Sequence, residues 1–488
     1  MMHDLLIRNA RVIDGTGGES NYCDVLINGD QISAVLPTGE LSKSEAREFL
    51  EADGLVLAPG FIDVHTHDDA LLLQDVQLGN PHPKLSQGVT TVITGNCGVS
   101  LAPLQSHEVP PPLDILGADA FRFASFEDYL RELAAHQPAC NVASLIGHTT
   151  LRIKHLADIS LEATVQQCEA MMRDVQAALD AGAYGLSTGV YYPPARAASM
   201  QEMIAVARPL KASQALLTMH LRNEAEGIDD ALREAFAVGK AVGCPLVISH
   251  HKLLGRSNHG RSMQTLKLIE EAARSMSICM DCYPYDASST MLQPERVASS
   301  SDVLITWSRA QPQTAGLSLM KLAVDRGVDP VELAKQLLPA GAVYFAMDEK
   351  DVSRILAHPL TVVGSDGLAH DECPHPRLWG SFPRVLGRYS REQGLFSLET
   401  AIHKMTGLSA SRYGLNRATR LQHPRGQIAV GFNADLVLFD PATVIDCATY
   451  DAPTTPSAGI ERVYVNGRLA ALRGQTLNGK AGRVLRHS

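Results

Sequence analysis

Eight short apolar runs, each followed by a more polar stretch, constrain this chain more than any other feature. They cover residues 55–67, 89–97, 141–148, 183–190, 215–220, 245–250, 278–283 and 360–366. Each has the length and apolar content of a buried strand. In 161–181, 225–242 and 263–274 the apolar residues instead recur every three or four positions, as on one face of a helix. Eight strand–helix units predict an α/β fold, a closed (β/α)8 TIM-like barrel, with a doubly wound open sheet as the alternative. In a barrel all the strands end at one rim, which is where barrel enzymes carry their chemistry.

At 488 residues the chain exceeds the ~250–300 residues at which a single ordinary core stops growing, so a second domain is expected. Both ends have the texture of strands and turns: 5–13, 24–29 and 31–35 at one end, with Asn28-Gly29 as a favoured hairpin turn, and 434–439 and 463–468 at the other. Neither end can bury a sheet alone. One small β-sandwich domain is therefore expected from residues 1–57 and 418–488, around a barrel of 58–417. Residues 284–359 separate the seventh and eighth runs, far beyond the dozen or so that a crossover needs. Such an excess is expected to act as a lid or substrate pocket.

The ends of the runs carry the chemistry. His65 and His67 are two residues apart, and side chains on a strand alternate faces, so both imidazoles point the same way and can grip one cation. Six of the eight runs end in a metal-competent side chain: His67, Cys97, His148, His220, His250 and Asp366. Nitrogen, thiolate and carboxylate together suit zinc better than magnesium or calcium, which prefer oxygen alone. Asp366, in the glycine-flanked turn Val363-Gly-Ser-Asp-Gly367, is predicted to work beside the metal. Zinc lowers the pKa of its water to about 7, and a carboxylate within reach can take that proton and hand it to a leaving nitrogen. His148 and His251 are expected to support the ligands or touch substrate.

Composition narrows the partners. The net charge of −10 and the absence of a basic stripe argue against nucleic acid, and no apolar stretch reaches the ~20 residues of a membrane span. Nine cysteines form no zinc ribbon; Cys279 and Cys282 lie in one strand-like run at an odd spacing, on opposite faces. A cytoplasmic location is expected.

These motifs resemble the amidohydrolase superfamily: the His-x-His in Leu57-Ala-Pro-Gly-Phe-Ile-Asp-Val-His65 and on to His67, single histidines after strands five and six, the aspartate after strand eight, and the closing segment from Arg425 to Phe439. Within that superfamily the chain is similar to the D-aminoacylases, the N-acyl-D-amino-acid deacylases. The likeness lies in Gly95-Asn-Cys-Gly98, Met219-His-Leu-Arg-Asn-Glu224, Ile248-Ser-His-His-Lys252, Tyr283-Pro-Tyr285 and His375-Pro-Arg-Leu-Trp-Gly380. The resemblance implies a tight zinc on Cys97, His220 and His250, with His65 and His67 at a second, weaker or empty position. Many relatives bridge two metals with a strand-four lysine, which is missing from Ala183-Tyr-Gly-Leu-Ser-Thr-Gly189; Cys97 takes its place.

A substrate of that class carries an amide and a free carboxylate. Arg377 offers a planar fork for the carboxylate, and the resemblance adds Lys252, Tyr283 and Ser289 to the grip. Arg296, in the insertion, could meet a second carboxylate and favour N-acyl-D-glutamate, while Tyr191, Tyr192, Tyr344 and Met347 could equally wall an apolar pocket. The expected reaction is amide hydrolysis to a carboxylic acid and a free D-amino acid; handedness follows from the resemblance alone. The alternatives are a cyclic amidase of the dihydropyrimidinase or hydantoinase type and a non-catalytic assembly protein.

Overall fold

In the computed structural model, residues 2–418 and 423–487 are described; positions 1, 419–422 and 488, which the expected domain ranges include, lie outside the described residues. The eight apolar runs form eight parallel strands: β1 (Phe61–Asp63), β2 (Val89–Thr94), β3 (Asn141–Gly147), β4 (Gly185–Gly189), β5 (Leu216–His220), β6 (Leu246–Ile248), β7 (Ile278–Cys282) and β8 (Thr361–Val363). Each pairs with its neighbours in chain order. A doubly wound sheet would reverse that order at a switch point, and this sheet does not. Its two edges meet just past the strand ends, where Thr66 and Gly367 form a parallel bridge and the Asp366 amide donates to the His65 carbonyl at 2.8 Å.

Alternation sets the two faces. Ile62, Val64, Ile93, Leu145, Val247, Cys279 and Val362 fill the barrel interior. Ile248, Met280, Cys282 and Val363 join the larger core between strands and helices, so Cys279 and Cys282 do face opposite ways. The expected helices occupy Val165–Asp180, Ile228–Val242 and Ser262–Ala273. The first starts at a capping box in which Thr164 and Gln167 satisfy each other's backbone amides.

The two ends of the chain build one nine-stranded mixed sheet. It is joined where Val56–Pro59 runs antiparallel to Leu436–Phe439. The run 55–67 is thus divided at Gly60: its first part belongs to the terminal sheet, which reaches Pro59, and its second part is β1. Gly60 sits so close to β2 that a Cβ there would lie 2.3 Å from the Thr90 side chain. Residues 284–359 hold a three-stranded antiparallel sheet, with Ala340–Tyr344 between Ser288–Met291 and Val303–Ser308. Helices Leu319–Arg326 and Pro330–Leu337 pack on it over a core of its own that includes Val303, Ile305, Leu319, Leu333 and Leu337.

A buried polar knot ties the terminal sheet to the barrel floor. Asp435 accepts from the Asn466 amide at 2.7 Å, from Asn141 at the start of β3 at 3.1 Å, and from Arg425. Removing one member of such a set leaves a buried charge without its partner, which costs about 3–5 kcal/mol. Asp435→Ala is therefore expected to lower the unfolding free energy by roughly that amount, read by urea denaturation, and Asp435→Asn by less because it keeps some of the hydrogen bonds.

Candidate metal centre

The strand ends bring five of the predicted ligands to one point on the rim. His65 Nε2 lies 3.2 Å from Cys97 Sγ, Cys97 Sγ lies 3.3 Å from His250 Nε2, and His250 Nε2 lies 3.0 Å from His220 Nδ1. Two sets share Cys97: Cys97 with His220 and His250, and Cys97 with His65, His67 and Asp366, the donor atoms of each lying within 4.8 Å of one another. Four-coordinate zinc, with Zn–N near 2.0 Å and Zn–S near 2.3 Å, holds its ligands about 3.3–3.7 Å apart. The donor types fit such an ion, and the observed spacings of 3.0, 3.2 and 3.3 Å lie at the lower end of that range or a few tenths of an ångström below it. The nitrogens that face the cluster are His67 Nε2, 3.3 Å from Asp366, and His220 Nδ1, while the opposite ring nitrogens, His67 Nδ1 and His220 Nε2, have no hydrogen-bond partner among the described residues.

Local backbone shape makes the convergence possible. Cys97, His250 and Asp366 have positive φ values of 54°, 36° and 51°, a region that residues other than glycine rarely occupy. Strain of this kind persists at functional sites because the surrounding packing enforces it. Cys97 can turn inward because glycines flank it: a Cβ on Gly95 would lie 2.0 Å from the Leu145 carbonyl oxygen, and one on Gly98 would lie 2.4 Å from the Thr149 hydroxyl.

Two carboxylates that sequence reasoning did not single out orient the imidazoles. Asp281 of β7 lies 3.2 Å from His65 Nδ1 and accepts from the His250 amide at 2.9 Å. Glu224 lies 3.1 Å from His250 Nδ1, 3.6 Å from His220 Nε2 and 2.6 Å from Lys252 Nζ. Such partners fix ring orientation and raise ligand basicity. The signal for Asp281 was a lone carboxylate inside an apolar strand, and that for Glu224 its place four residues after His220.

Charge compensates for burial throughout. Burial opposes ionisation of Asp366, but the Arg377 guanidinium 2.9 Å away outweighs it and holds the carboxyl well below its ordinary range. Burial likewise opposes the Cys97 thiolate, yet His65 and His250 outweigh it and hold the thiol far below its usual value. Burial would lower His67, but Asp366 at 3.3 Å and Cys97 push it up to about 9.

A narrow cleft opens over the cluster. Tyr191 and Tyr192, beyond β4, pack on the His220 ring with centroids 5.1 Å and 5.0 Å away, and the Tyr192 hydroxyl meets Thr290 Oγ1 at 3.0 Å. The insertion forms the opposite wall with Ser288, Ser289, Thr290 and Arg296, and Lys252 lines the cleft beside Glu224. Arg296 donates to Ser288 Oγ at 2.9 Å and lies 3.9 Å over the Tyr344 ring. Arg377 sits deeper and is fully buried. It packs 4.5 Å over Tyr283 and donates to the Ser289 carbonyl at 3.1 Å, with Nε and Nη1 left unpartnered. The Tyr283 hydroxyl meets Met347 Sδ at 3.6 Å. His148 and His251 stay out of both clusters, paired instead with Glu202 at 3.0 Å and Thr265 at 2.9 Å.

The sequence model of the amidohydrolase family matches residues 48–298 and 319–471. An N-acyl-D-aspartate deacylase of Alcaligenes xylosoxydans xylosoxydans is 48% identical over 467 residues, 95% of this chain and 91% of the relative. A D-aminoacylase of the same organism is also 48% identical, over 99% of this chain and 97% of its own. A crystal structure of an N-acyl-D-glutamate deacylase from Bordetella bronchiseptica, complexed with zinc and a phosphonate inhibitor that mimics the tetrahedral intermediate, superposes with a TM-score of 0.93. That protein is 43% identical to this one, with complete coverage of both chains. With the barrel, the rim histidines and this extent of likeness established, the chain belongs to the amidohydrolase family.

Proposed function

We propose that the chain hydrolyses the amide bond of N-acyl-D-amino acids, releasing a carboxylic acid and a free D-amino acid. The observation that carries this reading is the meeting of Cys97, His220 and His250 beside an ionised Asp366 at the floor of a cleft. Relatives with deacylase activity toward D-amino acid derivatives supply the handedness. In this reading Cys97, His220 and His250 hold one tight zinc, and His65, His67 and Asp366, sharing Cys97, form a second, weaker position. Zinc held there supplies a water of pKa about 7 and polarisation of the amide carbonyl.

The chain's own residues do the rest. Asp366 keeps one oxygen on Arg377 Nη2 and turns Oδ1 toward His67, so a proton taken from the attacking water resides on Oδ1 and passes from there to the departing nitrogen. Lys252, which lines the cleft with Ser289 beside it, holds the substrate carboxylate, while Arg377, fully buried and paired with Asp366, and Tyr283 stand behind that wall and back the grip. Arg296 meets an acidic side chain: its guanidinium covers the Tyr344 ring, which removes that face from any apolar pocket, and the residue itself lines the cleft. The cyclic amidase and assembly-protein readings have no specific feature in their favour. The nine unpaired cysteines fit a reducing compartment.

Asp366→Asn is expected to keep zinc and lose kcat by about 10³-fold or more, because one group serves as both acceptor and donor of the proton. Near-normal turnover with N-acetyl-D-glutamate would remove Asp366 from this role. Arg296→Ala is expected to lower kcat/KM for N-acetyl-D-glutamate about 10–100-fold relative to N-acetyl-D-leucine, since it leaves the second carboxylate unpaired; an unchanged ratio overturns the acidic preference. Metal analysis after exhaustive dialysis should find one zinc per wild-type chain. His67→Ala should retain it and Cys97→Ala should lose it.

A further inference from the structure

We propose that Lys84 is a positioning residue that holds Asp366 in place by clipping the first and last barrel strands together. β1 and β8 share no ladder of their own; among the described residues their seam is bridged only past the strand ends, at Thr66 and Gly367. Side chains take over there. Lys84, which precedes the short turn Leu85–Gln87 between β1 and β2, donates to Asp63 Oδ2 at 2.8 Å and to Ser365 Oγ at 2.9 Å, and lies 3.3 Å from Asp68 Oδ2. Asp63 ends β1, and its other oxygen accepts the Ser365 amide at 2.8 Å. Ser365 directly precedes Asp366 and also accepts the Gly367 amide at 3.2 Å.

All four groups of the clip, Lys84, Asp63, Asp68 and Ser365, are buried with no exposed surface, and none lines the cleft. A lysine in that setting is costly unless it is paired, and here it pairs with Asp63 on one side of the His-x-His loop and lies 3.3 Å from Asp68 on the other. The consequence is mechanical. Asp366 has a left-handed backbone that packing must enforce, and its two anchors are the His65 carbonyl and the Ser365 turn. Lys84 binds the segments that supply both, so it sets the distance between Asp366 Oδ1 and the imidazoles of His65 and His67 without touching substrate. A displacement of about 1 Å at such a site costs on the order of 100-fold in rate.

This inference rests on the hydrolytic role proposed above. The test compares wild type, Lys84→Met, Ser365→Ala and the double variant, each as zinc-loaded protein of verified thermal stability, with N-acetyl-D-amino acids as substrates. Lys84→Met is expected to lower kcat about 100-fold and Ser365→Ala about 10-fold, with KM within about threefold and tight zinc content unchanged. The double variant should be no slower than Lys84→Met, because both changes open one clip. The proposal falls if either folded variant turns over within twofold of wild type, if the two losses multiply, or if KM and zinc content change as much as kcat. Should Lys84→Met not fold, Ser365→Ala decides alone. A wild-type protein inactive on the whole substrate panel would strike the hydrolytic reading instead.

Discussion

Closure of the parallel sheet is the constraint on which everything else depends. Because every strand runs the same way, every carboxyl end opens on the same rim. Residues as far apart in sequence as His65, Cys97, His220 and Asp366 then become neighbours with donor atoms a few ångströms apart. The closure is not uniform. Seven of the eight seams are ordinary ladders, and the eighth relies on one bridge and a set of buried side chains. That weaker seam passes directly under Asp366, so the geometry of closure and the geometry of the site are one problem.

Burying so many ionisable groups in one place would unfold a small domain if each stood alone. Here they come in compensating sets: Asp366 with Arg377, Glu224 with Lys252 and His250, Asp281 with His65, and Lys84 with Asp63 and Asp68. Two nitrogens of the fully buried Arg377 have no partner among the described residues and lie behind the cleft wall. The left-handed backbones of Cys97, His250 and Asp366 carry a further cost, which the surrounding barrel offsets.

Much of this was legible in the sequence because it follows from local periodicity. A strand's length and apolar content show where it runs, and the residue after it shows what the rim will carry. His67, Cys97, His220, His250 and Asp366 were all found in that way. His148 was found by the same rule and behaves differently: it opens a helix and pairs with Glu202, outside both clusters. A residue's place at a rim does not reveal which way its side chain turns. Arg377, expected as a carboxylate fork for the substrate, pairs with Asp366 from a fully buried position, an arrangement that spacing along the chain does not encode.

The amino-acid order alone determined the eight-unit alternation, the contribution of both ends to one sheet, and the chemical types gathered at the rim, because each depends on patterns within a few residues. Tertiary structure alone decided that Glu224 and Asp281 stand behind the rim imidazoles, that the insertion forms one wall of the cleft, and which rim residue turns inward. Those outcomes arise from side-chain direction and charge pairing across segments that meet only when the barrel closes, and no local pattern carries that information.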